Sequence, residues 1–142
     1  MPYRLFDFSS DQGVEGEGLT LAEAFVQLGR AVAHVLTDGS KVGTKVKHRV
    51  DVEGAPDLPG TAVAFVNDLV YRFDVDQFLL GAGELEIEKR PDGIHRVTGT
   101  LRGDTFDPKR HAAGRGVKAA TYHDATYEST RRRHRLRVIL DL

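Results

Sequence analysis

The sequence predicts an α+β fold, two helices packed on a mostly antiparallel sheet, in one compact domain spanning residues 1–142. Three observations carry this expectation. Two apolar stripes at helical spacing occupy the first half of the chain. Short segments with strand-like alternation dominate the second half, and turn signals join them at hairpin distance. A length of 142 residues favours a single domain, and no repeat, low-complexity tract or linker divides it.

Tyr3 to Phe8 is short and aromatic-rich and reads as a first strand. Ser9-Ser10-Asp11-Gln12-Gly13 has turn chemistry, because small polar side chains bond their own backbone and Gly tolerates positive φ. Val14 to Gly18 reads as a weak strand. Thr20-Leu21-Ala22-Glu23 forms a capping box, in which a hydroxyl and a carboxylate each satisfy a free amide at a helix start. Leu21, Ala24, Phe25, Leu28, Ala31, Val32, Val35 and Leu36 then make a stripe that must face a core, and Asp38-Gly39 ends the helix. Val42 to Val52 reads as a half-exposed strand. Pro56, Pro59 and Gly60 break the chain before a second helix, whose stripe is Ala62, Phe65, Val66, Leu69, Val70 and Phe73.

Leu85 and Ile87 alternate with glutamates, Pro91-Asp92-Gly93 makes a turn, and Val97 to Leu101 returns, which predicts a hairpin. Thr105 to Val117 reads as a polar loop. Lys118 to Glu128 and Arg135 to Leu140 read as two further strands joined by a basic turn. Leu136, Val138 and Leu140 share one face of the last strand, so Asp141 falls on the face of Arg137 and Ile139.

Composition removes several function classes. The chain has no cysteine, which excludes disulfides, thiolate zinc sites and cysteine nucleophiles. The net charge of −1 supplies no global field for nucleic acid. No segment has the ~18 apolar residues of a membrane span, and a soluble, cytoplasmic protein is expected. P-loop, GxSxG and HExxH patterns are missing, and none of the six histidines is paired at a short metal-binding spacing. His34 reads as a helix-surface residue. Arg131-Arg132-Arg133-His134-Arg135 reads as a solvated hairpin tip.

The loop holds the densest set of hydrogen-bonding groups. Phe106-Asp107-Pro108-Lys109-Arg110-His111 runs through Gly114-Arg115-Gly116-Val117-Lys118 to Ala119-Ala120-Thr121-Tyr122-His123. This stretch resembles the hallmark of the archease family, a DPxRH segment followed by VKAxTYH. Gly18 to Phe25 resembles the opening of that family's first helix, and Leu36-Thr37-Asp38 with Ser40-Lys41-Val42 its exit. Val138-Ile139-Leu140-Asp141-Leu142 matches its ending, so the resemblance spans nearly the whole chain.

The resemblance implies a ligase-activating protein cofactor rather than an enzyme. Its partner would be an RtcB-type RNA ligase of tRNA splicing or RNA repair, whose guanylylation and multiple turnover it promotes; RNA would be met only indirectly. It also implies a divalent cation, Ca²⁺ with Mg²⁺ or Mn²⁺ as alternatives, held by Asp11, Asp141 and the main chain of Leu142. Such hard ions prefer carboxylate, carbonyl and water oxygens, and a cation relieves the repulsion of two close carboxylates. Lys118, His111, His123 and Asp7 are expected as further site or partner contacts. The chain departs from the family's usual DHTADIG turn: Phe8 replaces a histidine and Gln12 an aliphatic residue, whereas Asp7, Asp11 and Gly13 remain. A stand-alone metal-dependent hydrolase and an RNA-binding chaperone or adaptor are the competing expectations.

Overall fold

A computed structural model describes residues 2–142. Seven strands and two helices follow one another as β1 (Tyr3–Phe8), β2 (Asp11–Gly18), α1 (Leu21–Thr37), β3 (Val46–Glu53), α2 (Leu58–Asp76), β4 (Phe78–Lys89), β5 (His95–Thr105), β6 (Ala119–Thr130) and β7 (Arg133–Asp141). The strands form two antiparallel sheets, ordered β1-β2-β7-β6 and β3-β5-β4. Both helices touch strands of both sheets. They therefore fill the space between the sheets, and each sheet keeps one outward face. The expected α+β class is borne out, with the sheet divided in two.

α1 is enclosed along most of its length, from Ala24 to Thr37. Its capping box forms as expected: Thr20 Oγ1 accepts from the Glu23 amide at 3.1 Å, and Glu23 Oε2 reaches back to the Leu19 amide at 3.0 Å. Gly16 of β2 lets the sheet approach, since a Cβ there would lie 2.2 Å from the Leu28 main-chain nitrogen. Phe25 and Phe65 meet edge to face between the helices, with centroids 5.6 Å apart, a geometry worth about 1 kcal/mol beyond burial. α2 begins at Asp57, whose side chain accepts from the Gly60 amide. Pro59 lies inside the first turn rather than ahead of the helix, because a missing N–H costs nothing there.

Several boundaries differ from expectation, and three of them shape the β1-β2-β7-β6 sheet or the approach to β3. β2 starts at Asp11, so the first turn shrinks to Ser9-Ser10, with φ of 54° at Ser9. β3 starts at Val46, not Val42. β7 starts at Arg133, which confines the basic turn to Arg131-Arg132. His34 is not a bare surface residue: Tyr3 Oη lies 3.1 Å from its Nδ1.

The segment 106–118 works as a strap. The last carbonyls of α1 have no partner within the helix. Val35 accepts from the Arg115 amide and Leu36 from the Gly114 amide, both at 2.9 Å. The loop thus ties β5 and β6 to the end of α1. At its far end Asn67 of α2 accepts from the Ala120 amide at 2.7 Å and donates to the Ala120 carbonyl at 3.3 Å, pairing the open edge of β6 as a neighbouring strand would.

Candidate metal centre

The site is a consequence of strand order. β2 and β7 pair side by side with Gln12 opposite Leu140, so the next step of the register sets Asp11 opposite Asp141. Alternation puts Val14 and Val138 in the core and both aspartates on the outward face. Phe8 faces Asp11 from β1, and Ala119 faces Asp141 from β6. The Leu142 amide donates to Asp11 Oδ1 at 3.4 Å, and the Lys118 amide donates to the Asp141 carbonyl at 2.9 Å. Residues 130 positions apart thus share one sheet end.

Charge at this end is uncompensated. Among the described residues, no Lys, Arg or His nitrogen lies within 4.0 Å of either carboxylate. No group of three or more His, Cys, Asp or Glu side chains is placed to hold a metal among the described residues. The donor set is therefore two carboxylates, with main-chain oxygen and water left to complete a shell. Hard divalent ions accept such a set; zinc, which favours nitrogen and sulfur, fits it poorly. Asp11, Asp141 and Leu142 come together at this sheet end.

The remaining expected residues divide. Lys118 contributes its main chain, and its side chain is exposed. His123 lies in a bulge, where Thr121 pairs with Ile139 but the next partner, of Arg137, is Thr126. β1 and β6 are three strand spacings apart, about 14 Å, yet the His123 and Phe8 rings lie only 6.4 Å apart. The bulge therefore leans back across this end of the face. His123 Nε2 points to Asp124 Oδ2 at 3.1 Å rather than to the aspartate pair. Asp7 sits opposite Gln12, on the other face from Asp11.

His111 needs correction as a contact residue, because its side chain is fully enclosed. Its Nδ1 accepts from the Asp107 amide at 2.9 Å, which puts the ring proton on Nε2, 3.4 Å from Asp104 Oδ2. The angle there is too poor for a hydrogen bond, so the pair is a loose electrostatic contact. Asp104, buried in β5, also accepts from the Gly43 amide and meets Arg110 Nη1 at 3.4 Å. Burial pushes its carboxyl up; the Gly43 amide and the charge of Arg110 outweigh that and hold it below the usual range. This cluster anchors the start of the strap.

Sequence reading missed Asp104, and it missed Arg115, whose guanidinium donates to Gln12 Oε1 at 3.0 Å. Gln12 Nε2 in turn donates to the Phe6 and Gly13 carbonyls at 3.0 and 3.2 Å. The polar residue beside Asp11 is thus paired by the strap. A glutamine where the family has an aliphatic residue was the available signal; its partner 103 positions away carried none.

Sequence and structure comparisons bear on family and fold. The archease protein family (MTH1598/TM1083) matches residues 3–142. Protein archease of Pyrococcus furiosus is 34% identical over 123 residues, covering 87% of this chain and 85% of that protein. Protein archease of Sulfolobus acidocaldarius is 30% identical over 142 residues, covering 99% and 98%. The solution structure of Methanobacterium thermoautotrophicum protein 1598 superposes with a TM-score of 0.80 at 27% identity, covering 99% of both chains. The crystal structure of an archease, possible chaperone, from Thermotoga maritima shares the fold, with a TM-score of 0.52 at 15% identity over 96% and 94%. The chain belongs to the archease family.

Proposed function

We propose that this protein is a divalent-cation-binding accessory factor, not an enzyme in its own right, that promotes guanylylation and multiple turnover of an RtcB-type RNA ligase in the cytoplasm. The observation that carries the reading is the Asp11–Asp141 pair: two carboxylates on adjacent strands, on one outward face, with no cationic side chain within 4.0 Å among the described residues. Two like charges held by a rigid sheet repel unless a cation joins them, and family membership directs that cation toward RNA-ligase activation. A bound divalent ion supplies positive charge for phosphate oxygens and an exchangeable coordination position. The protein's own part is positional. β2 and β7 hold the carboxylates, the Lys118 amide holds the Asp141 carbonyl, and the strap fixes Gln12 beside Asp11 through Arg115.

No helix of the described residues is long and apolar enough to cross a membrane. A stand-alone hydrolase reading gains no support, since among the described residues no third acidic or imidazole side chain joins the pair. The test is ligation by the purified ligase under single-turnover and multiple-turnover conditions with added Ca²⁺, Mg²⁺ or Mn²⁺. Asp11→Ala and Asp141→Ala are expected to lose the gain in multiple turnover while remaining folded by circular dichroism. Full stimulation by both variants would overturn the proposal.

A further inference from the structure

The outward face that ends in Asp11 and Asp141 has an opposite character at its other end. Arg4 of β1, Arg133, Arg135 and Arg137 of β7, and the turn residues Arg131 and Arg132 gather there. Among the described residues, the carboxylates that pair with these six arginines are Glu15, Glu17 and Glu128, an excess of three positive charges. Glu15 is nearly enclosed and joins Arg4 at 3.1 Å and Arg137 at 3.0 Å, which fixes their stems while leaving the guanidinia partly exposed. Arg137 and Arg4 also lie over the Phe6 ring, 4.4 and 5.6 Å from its centroid. Arg131 and Arg132 are exposed and pair with no carboxylate among the described residues.

Two further features favour one kind of ligand. Arg131 has φ of 51° in a two-residue hairpin turn, where glycine or asparagine is the low-cost occupant; an arginine there spends backbone energy to present charge. Beside it an open hollow of about 830 Å³ is lined by Arg131, Arg132, Arg133, Thr130 and Leu19, and Leu19 is 61% exposed. An apolar lip opposite three guanidinia suits a nucleotide, whose base is apolar on its faces and whose phosphate takes forked arginine bonds. Arg133, Arg135 and Arg137 recur at alternate positions of β7, an interval of about 7 Å, comparable to the phosphate interval of a stretched single strand.

We propose that this arginine end is a single-stranded RNA contact. It grips phosphodiesters along β7 and seats one nucleotide between Leu19 and the Arg131–Arg133 turn. This departs from the indirect meeting with RNA expected from sequence. The near-neutral total charge conceals a segregation that exists only once β1, β2 and β7 lie side by side. The proposal does not depend on the cation site, so its test is run in EDTA.

The experiment is fluorescence anisotropy of a labelled oligouridylate 12-mer titrated with the full chain across a series of NaCl concentrations. Saturable binding is expected, with affinity falling as salt rises with a logarithmic slope of about 2, the value for three single-strand phosphate contacts. Arg131→Ala with Arg132→Ala should raise Kd about tenfold or more and reduce the slope to below about 1. Lys47→Ala with Arg49→Ala, on the outward face of the other sheet, should bind as the unaltered protein does. Absence of saturable binding at low salt, an unchanged Kd in the turn variant, or equal weakening by the Lys47 and Arg49 variant would each overturn the proposal. So would displacement by polyglutamate of equal charge as effective as displacement by unlabelled RNA, which would assign the surface to acidic protein.

Discussion

The two outward faces are built on the same plan and use charge in opposite ways. On the β3-β5-β4 sheet, opposite charges meet close by: Arg96 pairs with Asp51 at 2.6 Å, Arg90 with Glu53 at 2.9 Å, and Arg102 with Glu84. On the β1-β2-β7-β6 sheet, charge is sorted lengthwise. Two uncompensated aspartates sit at one end and an arginine excess at the other, with the enclosed Glu15 between them. A face whose charges cancel locally serves as a solvated scaffold. A face that keeps like charges together leaves electrostatic energy for a ligand to recover, and that is where both proposals lie.

The largest effect that sharpens this contrast concerns the cation. At a Ca²⁺ concentration about 100 times its Kd, binding adds about 2.7 kcal/mol, and the melting temperature should rise by about 5–10 °C. Asp141→Asn should abolish the rise in a thermal-shift titration; an undiminished rise would move the cation elsewhere. Glu15→Gln comes next. It strands three arginines around a neutral amide, and with those arginines half in water the loss is about 1–2 kcal/mol, measured by urea denaturation. Asp51→Asn on the other sheet should leave the urea midpoint unmoved, and an equal loss there would break the comparison.

Acid should act on the first face in the same sense. Burial pushes the Glu15 carboxyl up, but hydrogen bonds from Arg4 and Arg137 outweigh it and hold it below the usual range; Asp104, enclosed in β5 of the other sheet, is held down likewise. A carboxyl lowered in the folded state contributes stability that is complete above its unfolded value, about 4, and is lost as pH falls through the folded one. Stability should therefore decline below about pH 4, and Glu15→Gln should flatten part of that decline. The smallest expected loss is that of Gly13→Ala. Its Cβ would lie 2.2 Å from the Phe6 ring, and displacing the ring from Arg137 should cost about 1 kcal/mol or less.

Much of this fold was legible in the order of residues because its signals are local. The Thr20–Glu23 box, the stripe from Leu21 to Leu36 and the Pro91-Gly93 turn act over a few positions, and each formed where expected. Boundaries shifted where a long-range partner intervened: Asp11 and Gln12 read as turn residues until β7 pairs with them. The resemblance directed attention to Asp11 and Asp141, and strand pairing supplied the reason they meet. His111 looked like a contact residue because its motif is polar, yet its enclosure depends on Asp104, which no nearby pattern marks.

The amino-acid order by itself determined the helices, the hairpins and the alternation that assigns each strand residue to one of two faces, since these follow from 3.6- and 2-residue periods read over short windows. Only the tertiary structure decided that β2 and β7 lie together between β1 and β6. That single pairing brings the second and last strands side by side, aligns Asp11 with Asp141, and collects the arginines of β1, β7 and the β6–β7 turn. The physical reason is that register between distant strands is set by whichever burial of apolar faces the whole chain achieves together, a cooperative quantity that no short window of sequence contains.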